Sequence, residues 1–325
     1  MSESGDYDPG YWKGYDFSEA RKAYDVHVGR SYDDAKKEGK KLEELVEPKV
    51  STKSASPLVI ICDVTGSMGE WPATMFSKLP YLELEGKEYL GEDMEICFAA
   101  VGDAHCDKYA LQVRPFSKGK DLEKRLKELV IEGGGGPGVQ ESYELAALYF
   151  NHNVEMPNAT KPILIMIGDE AFYDRIDAGQ AKKYANVKLQ ADEKASSVFE
   201  ELKNKFSTYL IRKPYSGASS NSMSPQDKRI YKRWEAVMGE ERISDLPDPN
   251  RVVDVIFGIL AQETGRVDYF KKELKDRQKP EQVTTVLKSL ETVHKLPAGE
   301  SVKKLKAGDS VLKSKHSGKE AKSLA

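Results

Sequence analysis

Pro57 to Met68 reads PLVIICDVTGSM. Leu58, Val59, Ile60 and Ile61 form an apolar, mostly β-branched run that leads through Cys62 into Asp63, Thr65, Gly66 and Ser67. No charge precedes Asp63 within the run, and a polar Lys-Ser-Ala-Ser stretch stands before it. A short, unbroken apolar run is the pattern of a strand buried on both faces, as in a parallel sheet. Asp63, Thr65 and Ser67 then place one carboxylate and two hydroxyls on alternate positions of a tight turn, and Ser67 is also a fit cap for a helix beginning at Met68. Three hard oxygen donors where a strand meets a helix suit a magnesium-like cation. Ligands of open α/β sheets bind at the carboxyl ends of the strands, which is where these donors fall. The plain alternative is a buried strand ending in a helix cap.

Working outward, Met94–Val101 (MEICFAAV) is a second buried strand, and Gly102-Asp103-Ala104-His105-Cys106-Asp107 follows it. Asp103 is a candidate for a metal's outer shell or for shaping the rim; His105 reads as a loop residue with a local hydrogen bond. Tyr109–Phe116 is a shorter strand, placed at an edge by Pro115. Pro162–Gly168 (PILIMIG) is a third long buried strand ending in Asp169-Glu170, and Ser207–Ile211 is the next. Asp169, like Asp63, closes a buried strand, and two aspartates on adjacent strand ends repel unless a cation lies between them. A helix-capping role is the alternative for Asp169. Helices are expected over Ser67–Leu79 (Met68, Trp71, Met75 and Leu79 as its apolar stripe), 121–130, 139–151, 192–206, 227–237, from Asp248 through Leu260, and 280–294. Residues 81–92 read as a loop or short hairpin. The run Gly133–Gly138 has neither the Gly-Lys-Ser/Thr of a P-loop nor the G-x-G-x-x-G spacing of a dinucleotide site. The expected fold is α/β: a doubly wound, mostly parallel sheet flanked by helices, with N- and C-terminal extensions.

Asp63-Val64-Thr65-Gly66-Ser67-Met68 resembles the metal-ion-dependent adhesion site (MIDAS) of the von Willebrand factor type A (vWA) family, whose signature is DxSxS or DxTxS. The resemblance covers about residues 55–265, including a tryptophan-bearing helix and an Asp-Pro-initiated apolar helix at its end. It implies a Rossmann-like fold. It also implies a divalent ion, Mg²⁺ or else Mn²⁺ or Ca²⁺, held by Asp63, Thr65, Ser67 and Asp169. The family's second loop supplies a threonine before a helix, and here none lies near; Gln140, Glu141 and Ser142 are the possible replacements, with Glu141 favoured. An extra inner acid would weaken the ion's hold on an incoming carboxylate, so Glu141 ranks low as a direct ligand. In the family, a partner's acidic side chain completes the coordination. The function implied is a metal-dependent protein–protein interaction module, an adaptor or assembly subunit beside an AAA-type ATPase or in a large assembly, and not an enzyme. The alternatives are a structural subunit with a vestigial metal site, or a Mg-dependent hydrolase using Asp63, Asp103 and Asp169. The hydrolase would need a lysine or arginine over the site, and the sequence places none near these strand ends.

The 325 residues are 32% charged with a net charge of −3, so no global attraction to nucleic acid or acidic lipid is expected. Nothing approaches a membrane span, and MSESGDYDPGYWKGYDF lacks the basic-then-apolar pattern of a signal peptide. Cys62, Cys97 and Cys106 have no metal spacing; Cys62 and Cys97 fall in apolar strand runs. A cytoplasmic protein is expected. Residues 1–54 form an aromatic, polar extension (Tyr7, Tyr11, Trp12, Tyr15, Phe17, Tyr24, Tyr32), with weak helix candidates at 18–26 and 31–46 and a linker at 47–57. Residues 55–265 form the main domain and 266–325 a helix and basic tail. From Pro297 the tail carries seven lysines against three acids, a local net of +4; such a run is usually solvated, and nucleic acid is expected only through it.

Overall fold

The computed structural model describes residues 39, 41–69, 71–136, 138–215 and 223–293. The aromatic stretch, the helix candidate at 18–26 and most of that at 31–46, residues 216–222 and the basic tail lie outside these described residues.

The apolar runs form one six-stranded sheet. Its strands are β1 (Leu58–Asp63), β2 (Ile96–Val101), β3 (Leu111–Val113), β4 (Ile163–Gly168), β5 (Ser207–Arg212) and β6 (Ile243–Asp245). Across the sheet the order is β6-β5-β4-β1-β2-β3. All neighbours are parallel except β3, which runs antiparallel to β2 at the edge. The mostly parallel, doubly wound α/β architecture expected from the sequence is thus present. Strand order reverses between β1 and β4, and open sheets of this kind bind ligands at the reversal, outside the strand carboxyl ends.

Every residue of β1, β2, β4 and β5 is buried. Alternate residues feed two cores, because successive side chains of a strand point to opposite faces. Leu58, Ile60 and Cys62 join the helices α1 (Trp71–Lys78), α2 (Leu82–Leu90) and α3 (Lys120–Lys127) on one face. Val59 and Ile61 join α4 (Tyr143–His152), α5 (Ala178–Ala185), α6 (Ala195–Lys205) and α7 (Pro225–Met238) on the other. The first face is completed by α8 (Val252–Thr264), α9 (Val267–Arg277) and α10 (Pro280–Ser289).

Several local expectations are corrected. No helix starts at Met68: Gly66–Met68 is a single 3₁₀ turn and α1 begins at Trp71. Residues 82–90 are helical rather than a loop; Glu and Lys favour helix, Glu83 and Glu85 suit its first turn, and Gly86 lets Met94 approach, since a Cβ there would stand 2.9 Å from Met94 Cε. Gln140 and Glu141 are not helical but pair in parallel with Ala171 and Phe172, so α4 starts only at Tyr143. Within the expected linker, Val50–Ser51 pairs with Val154–Glu155.

Candidate functional site

β1 delivers Asp63 and β4 delivers Asp169 to the point where the strand order reverses. Both side chains are fully buried, at 0% exposure. The 3₁₀ turn after β1 then brings the hydroxyls in. Thr65 donates to Asp63 Oδ1 from its backbone N–H (2.9 Å) and its hydroxyl (2.6 Å). Ser67 donates to Asp169 Oδ1 at 2.9 Å, and the two hydroxyl oxygens lie 3.2 Å apart. Asp63, Thr65, Ser67 and Asp169 are therefore linked in one network, with Ser67 committed to Asp169 rather than to capping a helix. Gly66 and Gly69 are exposed and Ser67 half-buried, so the turn opens to solvent.

Two further residues, not found by sequence reasoning, complete the network. Tyr143, at the start of α4, donates its hydroxyl to Asp63 Oδ2. Gly168 makes room for it: a Cβ on that last residue of β4 would stand 1.7 Å from the Tyr143 hydroxyl oxygen. Lys213, one residue beyond β5, donates from Nζ to Asp169 Oδ2 (2.8 Å) and to the Ser67 carbonyl (2.6 Å). The expectation that no cationic side chain stands near these strand ends is corrected by Lys213. Its signal in the sequence was position alone, a lysine immediately after a buried strand.

Glu141 comes to the same place. A Cβ on Gly135 would stand 3.2 Å from Glu141 Oε1 and 3.5 Å from Thr65 Cβ, which locates the carboxyl beside the Thr65 turn. Glu141 Oε2 is buried without a hydrogen-bond partner. Gln140 turns instead to the Phe172 carbonyl (3.1 Å). The glycine run closes over the strand ends: Gly134 O accepts from Gly66 N at 2.6 Å, and Gly135 N donates to Asp107 Oδ1 at 2.9 Å. A Cβ on Gly134 would meet Asp107 Oδ1 at 2.0 Å, so the run lies close for steric reasons.

Asp103 is occupied by its own loop and by a distant tyrosine, with Oδ1 accepting from His105 N at 2.9 Å and Oδ2 from the Tyr173 hydroxyl at 3.1 Å. It shapes the rim. His105 Nδ1 lies 3.0 Å from Asp103 Oδ1 and its ring packs on Tyr173, consistent with the local role read from the sequence.

The electrostatics of the pocket follow from crowding acids away from water. Burial first, then the neighbouring Asp169 charge, pushes the Asp63 carboxyl up to about 7. Burial, then Asp63, Glu170, Asp103 and Asp107, pushes Glu141 up to about 11. A neutral Glu141 relieves the repulsion between these groups. The donor set fits a hard divalent ion: two buried carboxylates and two hydroxyls in mutual contact, all oxygen. Among the described residues no group of three or more His, Cys, Asp or Glu side chains is arranged to hold a metal ion.

Among the described residues no helix is long and apolar enough to cross a membrane. No family model matches the chain, and no curated protein matches it. Solved structures that match include the pilus adhesin SpaC from Lactobacillus rhamnosus GG in its open conformation, with a TM-score of 0.49 and 9% identity over 69% of this chain and 31% of the adhesin. A second form of the same adhesin gives a TM-score of 0.45 and 10% identity over the same shares. The chain thus spans less than a third of the adhesin's length, and likeness at this level carries no argument about function.

Proposed function

We propose that the chain is a protein-recognition module of the vWA kind, in which a divalent cation on Asp63, Thr65, Ser67 and Asp169 presents an open coordination position to an acidic side chain of a partner protein. The observation that carries this reading is the meeting of two fully buried carboxylates, joined by two hydroxyls, at the strand-order reversal. Buried like charges call for a counter-charge, and Mg²⁺, Mn²⁺ or Ca²⁺ would supply it and act as the Lewis acid for the visiting carboxylate. Thr65 and Ser67 would turn their oxygen lone pairs to the ion. Asp63 and Asp169 would hold it largely through water. Glu141, whose carboxyl lies beside the Thr65 turn, would tune the site from beside it. On this reading the protein is a cytoplasmic adaptor or assembly subunit, working beside an AAA-type ATPase or within a large assembly, and it binds rather than turns over its partner.

Calorimetric titration of Mn²⁺ and Mg²⁺ into the full chain tests it. The wild type is expected to bind one ion, and Asp63→Ala to lose that binding with its circular dichroism unchanged. Capture of partner proteins should disappear on adding EDTA and in the variant. Equal cation binding by both proteins, or none by either, sinks the reading.

Lys213 favours one second reading, a Mg-dependent hydrolase of phosphoesters, since it is the cationic group such chemistry needs near the ion. Against it, the ammonium is spent on Asp169 and the Ser67 carbonyl. Turnover of a generic phosphoester with Mg²⁺ that is lost in Asp63→Ala would establish the hydrolase instead.

A further inference from the structure

Lys213 stands where a divalent ion's charge would be needed. Its Nζ lies 2.8 Å from Asp169 Oδ2, and the other oxygen of that aspartate accepts from Ser67. The same ammonium donates to the Ser67 carbonyl at 2.6 Å, bridging β4 to the turn after β1. Asp169 is fully buried while the Lys213 side chain is 20% exposed, so the lysine side chain is the partner that keeps contact with solvent. The backbone of Lys213 is fixed, because its N–H donates to the Gly168 carbonyl at 2.9 Å as a continuation of the β4–β5 ladder. Only the flexible four-carbon stem is free to carry the charge in or out.

We propose that Lys213 is a tethered competitor for the divalent ion: its ammonium neutralises Asp169 in the metal-free protein and must leave before the ion binds. This rests on the Asp63–Asp169 pair being a cation site. The physical ground is exclusion. A magnesium ion demands near-octahedral oxygen ligands at about 2.0–2.1 Å. An ammonium hydrogen-bonded to one of the same carboxylates would put a single positive charge within a few ångströms of a double one in a low-dielectric setting, where repulsion is large. The two cations therefore alternate. The metal-free site is kept folded by the lysine, and the displaced side chain has a route to water. An ordinary structural ion pair would behave differently, since removing its lysine would destabilise the fold without improving the cation's hold.

The test is titration of Mn²⁺ into the full chain as wild type, Lys213→Met and Lys213→Arg, with thermal melts of each in EDTA and in Mn²⁺. Lys213→Met is expected to bind Mn²⁺ on the order of tenfold tighter or more, the scale on which close charge pairs are coupled. It is also expected to melt lower than wild type in EDTA and to gain more from the ion. Lys213→Arg keeps the competing charge and should bind close to wild type. Equal or weaker Mn²⁺ binding by a folded Lys213→Met overturns the competition while leaving the cation site standing. Absence of Mn²⁺ binding in wild type and Lys213→Met alike overturns the cation site and the competition together. If Lys213→Met does not fold, the wild type serves by itself. The Lys213 ammonium resonance, seen by ¹⁵N-detected correlation in EDTA, should lose its protection on saturation with Mg²⁺, and its persistence there overturns the proposal.

Discussion

Glu144 shows at the scale of one side chain what burial does around this site. It lies in the first turn of α4, 1% exposed, and its Oε2 accepts from Tyr173 N at 3.0 Å. Burial above all, with the Asp103 charge adding, pushes its carboxyl up to about 8 against an ordinary 4.5, while hydrogen bonds from backbone N–H groups and Arg233 pull the other way. The folded chain therefore holds a proton that the unfolded chain releases between those values. The stability this contributes is complete below about 4.5 and is lost as pH rises through about 8. Glu144→Gln cannot ionise and keeps a carbonyl for Tyr173 N, so its stability relative to wild type should grow as pH rises across that window. Urea denaturation at several pH values checks this, and a difference that stays flat with pH removes the assignment. The site itself was legible residue by residue only where a motif spoke. Asp63, Thr65 and Ser67 stood on alternate positions after a buried run, and Asp169 closed another. Tyr143 and Lys213 had no motif. Each is a common residue whose meaning comes from where a distant element puts it, and Lys213 lies 44 residues from Asp169 in sequence.

At the scale of elements, the four long central strands were readable because parallel strands covered on both faces must be continuously apolar. Pro115 places β3 at an edge, and it is one of the two edge strands. The differences share a cause: glycine and charge look like punctuation in the sequence, whereas in the fold they serve packing. Gly86 made α2 look like a loop, and the glycine run made Gln140 and Glu141 look like the start of a helix. α9, rich in Lys, Asp and Glu, was not seen because its apolar stripe reduces to the buried Phe270 and Leu274 with half-buried neighbours. Gly258 in α8 is the same kind of device. An alanine in a helix interior ordinarily stabilises by about 1 kcal/mol over glycine. Here the added Cβ would stand 2.1 Å from Leu290 Cδ1 and within 3.1 Å of two more atoms of that fully buried side chain. Gly258→Ala is therefore expected to destabilise, by about 1–3 kcal/mol as overpacking does, with a lower urea midpoint. A variant more stable than wild type would mean that Leu290 moves aside freely.

That contact raises the question of where the folding unit ends. A sequence reading closes the main domain near residue 265, after α8. The packing runs on. Phe270, Leu274, Val283, Val286, Leu290 and Val293 are buried in the same core as Leu58 and Ile60 of β1. Two hydrogen bonds pin this stretch to the edge strand β6, from the Ser244 hydroxyl to the Ser289 carbonyl (2.7 Å) and from the Thr292 hydroxyl to the Ile243 carbonyl (2.6 Å). Each buried Leu, Val or Phe contributes roughly 1.5–3 kcal/mol before the cost of ordering the chain, and the whole protein is expected to be stable by only about 5–15 kcal/mol. A chain ending at residue 265 should therefore lose several kcal/mol relative to one ending at residue 293. It should also expose the apolar face of α8, where Val252, Ile256 and Ile259 are buried. Melting temperature and binding of a hydrophobic dye, compared between the two truncations, read both effects. Because β6 is three strands away from β1 in the sheet order, Mn²⁺ titration of the same pair separates global from local consequences. Cation affinity should survive in whatever fraction of the shorter chain remains folded. If the shorter chain melts at the same temperature as the longer one, residues 266–293 are an appendage and the core closes at α8.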